Sequence, residues 1–211
     1  MSFVKVCGTT SLEDALLAHR AGADAVGFVF AASPRRVDPD LVASIVRDLP
    51  SDLLTVGVFR GSTAEEVREV TLASGVAAVQ LHGDESPTFV DAVRDIAPFL
   101  IQSFTAGDTR LVDLDDYRVD AILLDAPRPG SGETFDWTAI DGLSSRRRLI
   151  LAGGLGPDNV AGAIERVRPW GVDAVSGVES SPGHKDPDAV MRFVAEARAA
   201  LSECAIDPGG A

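Results

Sequence analysis

Lysine is nearly missing from this chain. Of its 19 basic residues only Lys5 and Lys185 are lysines, against 32 acidic residues and a formal net charge of −13. A chain this acidic is a poor partner for nucleic acid or an anionic membrane. If it binds an anionic small molecule, backbone N–H groups and a few well-placed arginines must supply the attraction. Cysteine is equally sparse, and Cys7 and Cys204, near opposite ends, give no disulfide framework. That fits a reducing compartment, with the cytoplasm as the simple expectation. His19, His82 and His184 are scattered without ligand spacing, so no metal is expected. No apolar run approaches the roughly 20 residues that span a bilayer, and residues 1–10 lack an apolar signal core. Aromatic residues make up only 6% of the chain, yet 45% of its 211 residues are hydrophobic. This is enough for one sizeable core without disulfides or structural metal.

Short β-rich runs alternate with stretches of helical period along the whole chain. Strands are expected at Phe3 to Cys7, Ala25 to Phe30, Leu54 to Phe59, Ala77 to Leu81, Phe99 to Phe104, Ala121 to Asp125, Leu149 to Ala152 and Val172 to Ser176. Their centres recur every 21 to 30 residues, the length of one βα unit. Helix starts are marked by Asp38-Pro39, Ser86-Pro87, Gly156-Pro157 and Asp186-Pro187, since proline tolerates the first helical position. Ser11 with Asp14 and Thr63 with Glu66 read as capping boxes. Asp108 to Tyr117 and Trp137 to Leu143 are expected to be short or irregular. Eight parallel strands with intervening helices predict a single-domain (β/α)8 TIM barrel over residues 1–201, with 202–211 as a frayed C-terminal tail. No G-x-G-x-x-G follows the first strand, which removes the main support for a dinucleotide fold.

In such a barrel the chemistry sits at the carboxyl ends of the strands. Strand seven runs into Gly153-Gly154 and strand eight into Ser176-Gly177. Alone, Gly-Gly is ordinary turn punctuation. Both ends together, followed by the polar stretch Ser176 to Gly183, point to a phosphate site built from backbone N–H groups. Strand one delivers Cys7, which on spacing alone is either a small buried hydrophobe or a reactive thiol at the mouth. Phe3, Lys5 and Cys7 share one strand face. Lys5 would then lie inside the barrel, where it needs a carboxylate partner, and Asp173 on strand eight is the candidate. A free thiol has a pKa of about 8.5, and a buried cation nearby is expected to raise the thiolate fraction. Asp125 ends an otherwise apolar strand in the parity of Ala121 and Leu123, the inward face. Catalysis or capping would explain it, with catalysis favoured at a barrel mouth, where burial or a neighbouring anion would have to raise its pKa for acid work. His82 reads as a structural donor between loops. Arg35, after Ser33-Pro34, is either a surface charge or a clamp for a carboxylate.

These segments carry a family resemblance. Val4-Lys5-Val6-Cys7-Gly8, Ser33-Pro34-Arg35, Val56-Gly57-Val58-Phe59, Gln80-Leu81-His82-Gly83-Asp84-Glu85, Leu123-Leu124-Asp125, Leu151-Ala152-Gly153-Gly154 and Ser176-Gly177-Val178-Glu179 occur in order. The chain up to about Leu201 resembles the phosphoribosylanthranilate isomerases, (β/α)8 enzymes of tryptophan biosynthesis. The resemblance implies a cofactor-free Amadori rearrangement of a phosphosugar aminoaldose to an aminoketose. It assigns Cys7 as general base, Asp125 as general acid, Arg35 to the anthranilate carboxylate, and Gly153, Gly154, Ser176 and Gly177 to the phosphate. The oligomeric state stays open between monomer and homodimer.

Two departures stand out. Glu133 occupies a position where many family members have lysine, and Val175 one where many have serine. Neither removes the acid, the base or the glycines. The nearest competitor is the histidine-pathway isomerase, which uses two aspartates and grips two phosphates. Cys7 argues against it, and the ends of strands three and four offer no convincing second cradle. A non-catalytic phosphosugar-binding barrel is the other alternative; it would bind without turnover.

Overall fold

Strands buried on both faces must be apolar nearly throughout, unlike the half-polar strands of an exposed sheet. Phe3-Val4-Lys5-Val6-Cys7 and Ala121-Ile122-Leu123-Leu124 have that character. In the computed structural model, which describes residues 2–125 and 147–206, the first of these runs is buried at all five positions. The elements are β1 (Phe3–Cys7), α1 (Leu12–Ala21), β2 (Ala25–Val29), α2 (Pro39–Asp48), β3 (Leu54–Phe59), α3 (Ala64–Ser74), β4 (Ala78–Leu81), α4 (Pro87–Val93), β5 (Phe99–Thr105) and β6 (Ala121–Asp125). They continue with β7 (Leu149–Ala152), α5 (Val160–Val167), β8 (Gly171–Ala174), β9 (Glu179–Ser181), β10 (His184–Lys185) and α6 (Pro187–Ile206). Strands β1 to β8 pair in parallel, each with the next, and β8 returns to β1 to close a barrel. The fold is the single-domain (β/α)8 barrel that the spacing of the strands predicts.

The closing seam sets the interior. Lys5 stands in register with Asp173 and Phe3 with Gly171. A Cβ at position 171 would overlap the Phe3 carbonyl oxygen, so only glycine lets the two strands meet. Alternate residues point inward, and Phe3, Ala25, Val56, Ala78, Ile101, Leu123 and Ile150 form the interior cluster. At the amino-terminal end Phe3 stacks on Trp170 with ring centroids 4.8 Å apart, beside Phe99. This aromatic plug leaves the opposite end for chemistry.

Local capping follows the sequence at most helices. Ser11 accepts from the Asp14 N–H, Ser86 from that of Phe89, and Thr63 with Glu66 forms a reciprocal capping box. Gly156-Pro157 does not open a helix. The Asn159 side chain accepts from the Gly156 N–H and holds a turn, and α5 begins at Val160. Thr109–Asp116 is a 3-10 segment broken at Asp113, in keeping with an irregular connection. Strand β8 stops at Ala174, because Ser176 already enters a 3-10 turn, and the hairpin β9–β10 that follows has no counterpart in the expected elements. Helix α6 includes residues 202–206, which the sequence reading places in the tail. Its apolar stripe, Val190, Phe193, Val194, Ala197 and Leu201, continues to a partly buried Cys204. The expected helix at Trp137 to Leu143, Glu133 and the segment Asp207 to Gly210 lie outside the described residues.

The interior ion pair is costly to disturb. Lys5 Nζ lies 3.0 Å from Asp173 Oδ1, with both side chains buried. Lys5→Met, which strands a buried carboxylate, is expected to lower the unfolding free energy by about 3–5 kcal/mol in urea denaturation, and Lys5→Met with Asp173→Leu to recover most of it. Equal stability of the single variant and the wild type would refute this account.

Candidate active site

The inward parity of each strand continues past its carboxyl end. Phe3, Lys5 and Cys7, then Ala78, Gln80 and His82, then Ala121, Leu123 and Asp125 each climb one wall from the interior cluster to the mouth. Two adjoining cavities open there, beside a smaller one that Arg60, Asp84, Arg110 and Asp125 border. One, of about 220 Å³, is lined by Asp125, Gly153, Gly154 and Ser176. The other, of about 260 Å³, is lined by Cys7 and by apolar walls from Val29, Ala31, Ala32 and Val58. Arg35, His82, Asp173 and Val175 border both. Cys7 thus lines one cavity and Asp125 the other, on either side of this shared border.

Gly153 and Gly154 have φ of 95° and 57°, a left-handed conformation that favours glycine and turns the backbone into the first cavity. Gly177 stands behind that wall. A Cβ there would overlap the Leu155 carbonyl oxygen, so glycine permits the loops after β7 and β8 to touch. The structure therefore brings Gly153, Gly154 and Ser176 to the cavity and gives Gly177 a packing position.

Cys7 is a buried free thiol. Position 27, its partner in β2, is glycine, and a Cβ there would overlap Sγ. Burial pushes the thiol above its ordinary value; Lys5 works in the opposite direction and does not prevail. This corrects the expectation that a nearby cation would enrich the thiolate. Burial also works against the charge of Lys5, but Asp173 and Cys7 beside it outweigh that and hold the ammonium above its ordinary value.

The second lysine is buried as well. Lys185 Nζ donates to the Cys7 carbonyl oxygen at 2.6 Å and lies 3.0 Å from Glu179 Oε1. The Arg35 guanidinium binds the same carboxylate, through Nε at 2.8 Å and Nη2 at 2.6 Å. Burial opposes the charge of Glu179, but Arg35 and Lys185 hold its carboxyl below the usual range. The sequence leaves Arg35 as either a surface charge or a clamp for a carboxylate and does not reveal this partner. Glu179 and Lys185 belong to the hairpin β9–β10, and the one signal available was that Lys185 is one of only two lysines.

His82 is also placed differently from its reading as a donor between loops. Its ring borders both cavities, with Nε2 3.6 Å from Asp125 Oδ2 and Nδ1 3.0 Å from Gln80 Nε2. With Gln80 as donor, Nδ1 accepts and the ring proton is on Nε2, facing Asp125. Among the described residues no group of three His, Cys, Asp or Glu side chains is placed to hold a metal ion, and no helix is long and apolar enough to cross a membrane.

A closed barrel with thiol, carboxylate and glycine-rich turns around one mouth defines the class, a (β/α)8-barrel enzyme. The family model described as N-(5′-phosphoribosyl)anthranilate (PRA) isomerase matches residues 4–196, and the chain belongs to that family. It is 47% identical over 204 residues to the N-(5′-phosphoribosyl)anthranilate isomerase of Citrifermentans bemidjiense, covering 94% of this chain and 98% of that one. The crystal structure of phosphoribosyl anthranilate isomerase from Thermotoga maritima superposes with a TM-score of 0.86 at 39% identity, over 94% of this chain and all of that one. A phosphoribosyl anthranilate isomerase in complex with reduced 1-(o-carboxyphenylamino)-1-deoxyribulose 5-phosphate superposes at 0.84 with 38% identity, over 94% and 100% of the two chains.

The burial of Cys7 has a direct readout. In a Cys204→Ser background, thiolate formation followed by ultraviolet absorbance is expected only above the ordinary thiol range of about 8.5, and a thiolate already present at neutral pH would contradict it. Gly27→Ala, which displaces Sγ, is expected to lower kcat by roughly 10- to 100-fold with the circular dichroism of the barrel intact.

Proposed function

We propose that this chain converts N-(5′-phosphoribosyl)anthranilate to 1-(2-carboxyphenylamino)-1-deoxyribulose 5-phosphate in L-tryptophan biosynthesis, with Asp125 as general acid and Cys7 as general base. The observation that carries the reading is the pair of cavities, one glycine-lined with Asp125 on its wall and one apolar with Cys7 on its wall, which share Arg35, His82, Asp173 and Val175. Family membership supports the same substrate, and a solved relative at 38% identity holds the reduced product.

The phosphate lies against Gly153, Gly154 and Ser176, whose backbone N–H groups compensate its charge without lysine. The aryl ring occupies the apolar cavity, with its carboxylate toward Arg35. Asp125 gives a proton to the ribose ring oxygen; the C1′–O bond breaks, and the nitrogen lone pair forms an iminium at C1′. Cys7 as thiolate then takes the proton from C2′, and those electrons move to C1′ to form the enolamine. Tautomerisation leaves a ketone at C2′ and a methylene at C1′. C2′ is oxidised and C1′ reduced, so no external oxidant or reductant enters the balance.

The raised proton affinity of Cys7 fits this order of events. In the empty barrel the thiol holds its proton; as the positive iminium forms beside it, the thiol releases that proton to solvent water at the mouth, and the thiolate then takes the C2′ proton. The reaction needs Cys7 as a free thiol, which suits the reducing cytoplasm. Every group named belongs to one chain, so this reading asks for no residue from a second copy.

The test is steady-state turnover of phosphoribosylanthranilate, generated in place and followed by fluorescence. Cys7→Ala and Asp125→Ala are each expected to lower kcat/KM by roughly 10²- to 10⁴-fold with the fold retained. A wild type that binds the reduced product analogue but does not turn over the substrate would replace this reading with a binding barrel.

A further inference from the structure

Arg60 is unassigned by the reaction as derived so far. It follows β3 directly, in the inward parity of Val56 and Val58, and borders the apolar cavity that also holds Cys7 and Arg35. Its side chain is exposed, and it forms no hydrogen bond or ion pair with any described residue. The other arginines that line cavities at this mouth, Arg35 and Arg110, are committed. Arg110 is bound by Asp108 through Nε and Nη2. Arg35 has Nε and Nη2 on Glu179, which leaves Nη1 for a ligand.

That commitment limits what Arg35 can do for a carboxylate. A planar carboxylate is bound best by two parallel N–H donors from one guanidinium, and Arg35 has only Nη1 uncommitted. We infer that Arg60 is a second binding residue for the aryl carboxylate of the substrate, reading that group from the β3 side of the cavity while Arg35 holds it from the β2 side. The inference rests on the proposed reaction and adds a specificity determinant to it. It also completes the local charge balance. Lys5 is offset by Asp173, and Glu179 offsets one of its two cationic partners, Arg35 and Lys185. Arg60 is the cation at this cavity wall with no anion of the protein among the described residues to neutralise it.

The experiment compares two ligands by calorimetry. One is reduced 1-(o-carboxyphenylamino)-1-deoxyribulose 5-phosphate; the other is its counterpart lacking the carboxyl group. For Arg60→Met, affinity for the carboxylated ligand is expected to fall about tenfold, with affinity for the plain phenyl ligand unchanged and Arg60→Lys intermediate. Arg47→Met, on the exposed face of α2, removes the same charge elsewhere and is expected to change neither. In turnover, Arg60→Met should raise KM with kcat preserved. An equal loss for both ligands, or no loss for either, overturns the assignment, and so does a wild type that does not discriminate between them. Because these ligands report binding alone, failure of the proposed reaction shows separately, as absent turnover in a wild type that still binds.

Discussion

The salt bridge between Lys5 and Asp173 lies on the seam where the last strand meets the first. Two charges taken out of water are tolerated only if each satisfies the other, so the pair ties barrel closure to one register of β1 on β8. Phe3 and Gly171 below it and Cys7 above it take their positions from that register. The thiol therefore sits on a charged floor, enclosed tightly enough that burial dominates its proton affinity. The same interaction closes the fold and forms the floor beneath the thiol, whose proton affinity burial raises against the pull of Lys5.

Above this floor the mouth handles negative charge in a strongly acidic protein. Gly153, Gly154 and Ser176 line one cavity, where no lysine stands. At the other, Arg35 is held by the carboxylate that also holds Lys185, and Lys185 is bonded in turn to the peptide of Cys7. Glu179 in this way links the loop after β2, the hairpin after β8 and the end of β1. Such a buried network is rigid only when fully satisfied, and here each charged member has a partner of opposite sign.

The barrel itself was legible because two periodicities, two for strands and 3.6 for helices, alternate at the spacing of βα units. Parity then carried Cys7 and Asp125 to the mouth without any knowledge of contacts. The pairing of Lys5 with Asp173 followed from the cost of an unpaired ammonium. What sequence could not supply was long-range and quantitative. Arg35 and Glu179 are 144 residues apart, and their contact depends on how the hairpin β9–β10 folds back over the mouth. The sign of the Cys7 shift depends on burial outweighing a cation, and only packing decides that. Gly156-Pro157 looked like a helix start because the local chemistry of a turn held by Asn159 and that of a helix cap are the same.

Both lysines are consumed by the interior, Lys5 by the seam and Lys185 by the hairpin. The outer surface carries its positive charge on arginine alone, so no side-chain amine is offered to solvent. Reagents that acylate amines, and enzymes that attach carriers or degradation tags to lysine, therefore find their side-chain targets only when the mouth or the seam opens. The rate at which Lys185 or Lys5 becomes acylated is thus a clock for the opening of the barrel, with two separately addressable hands.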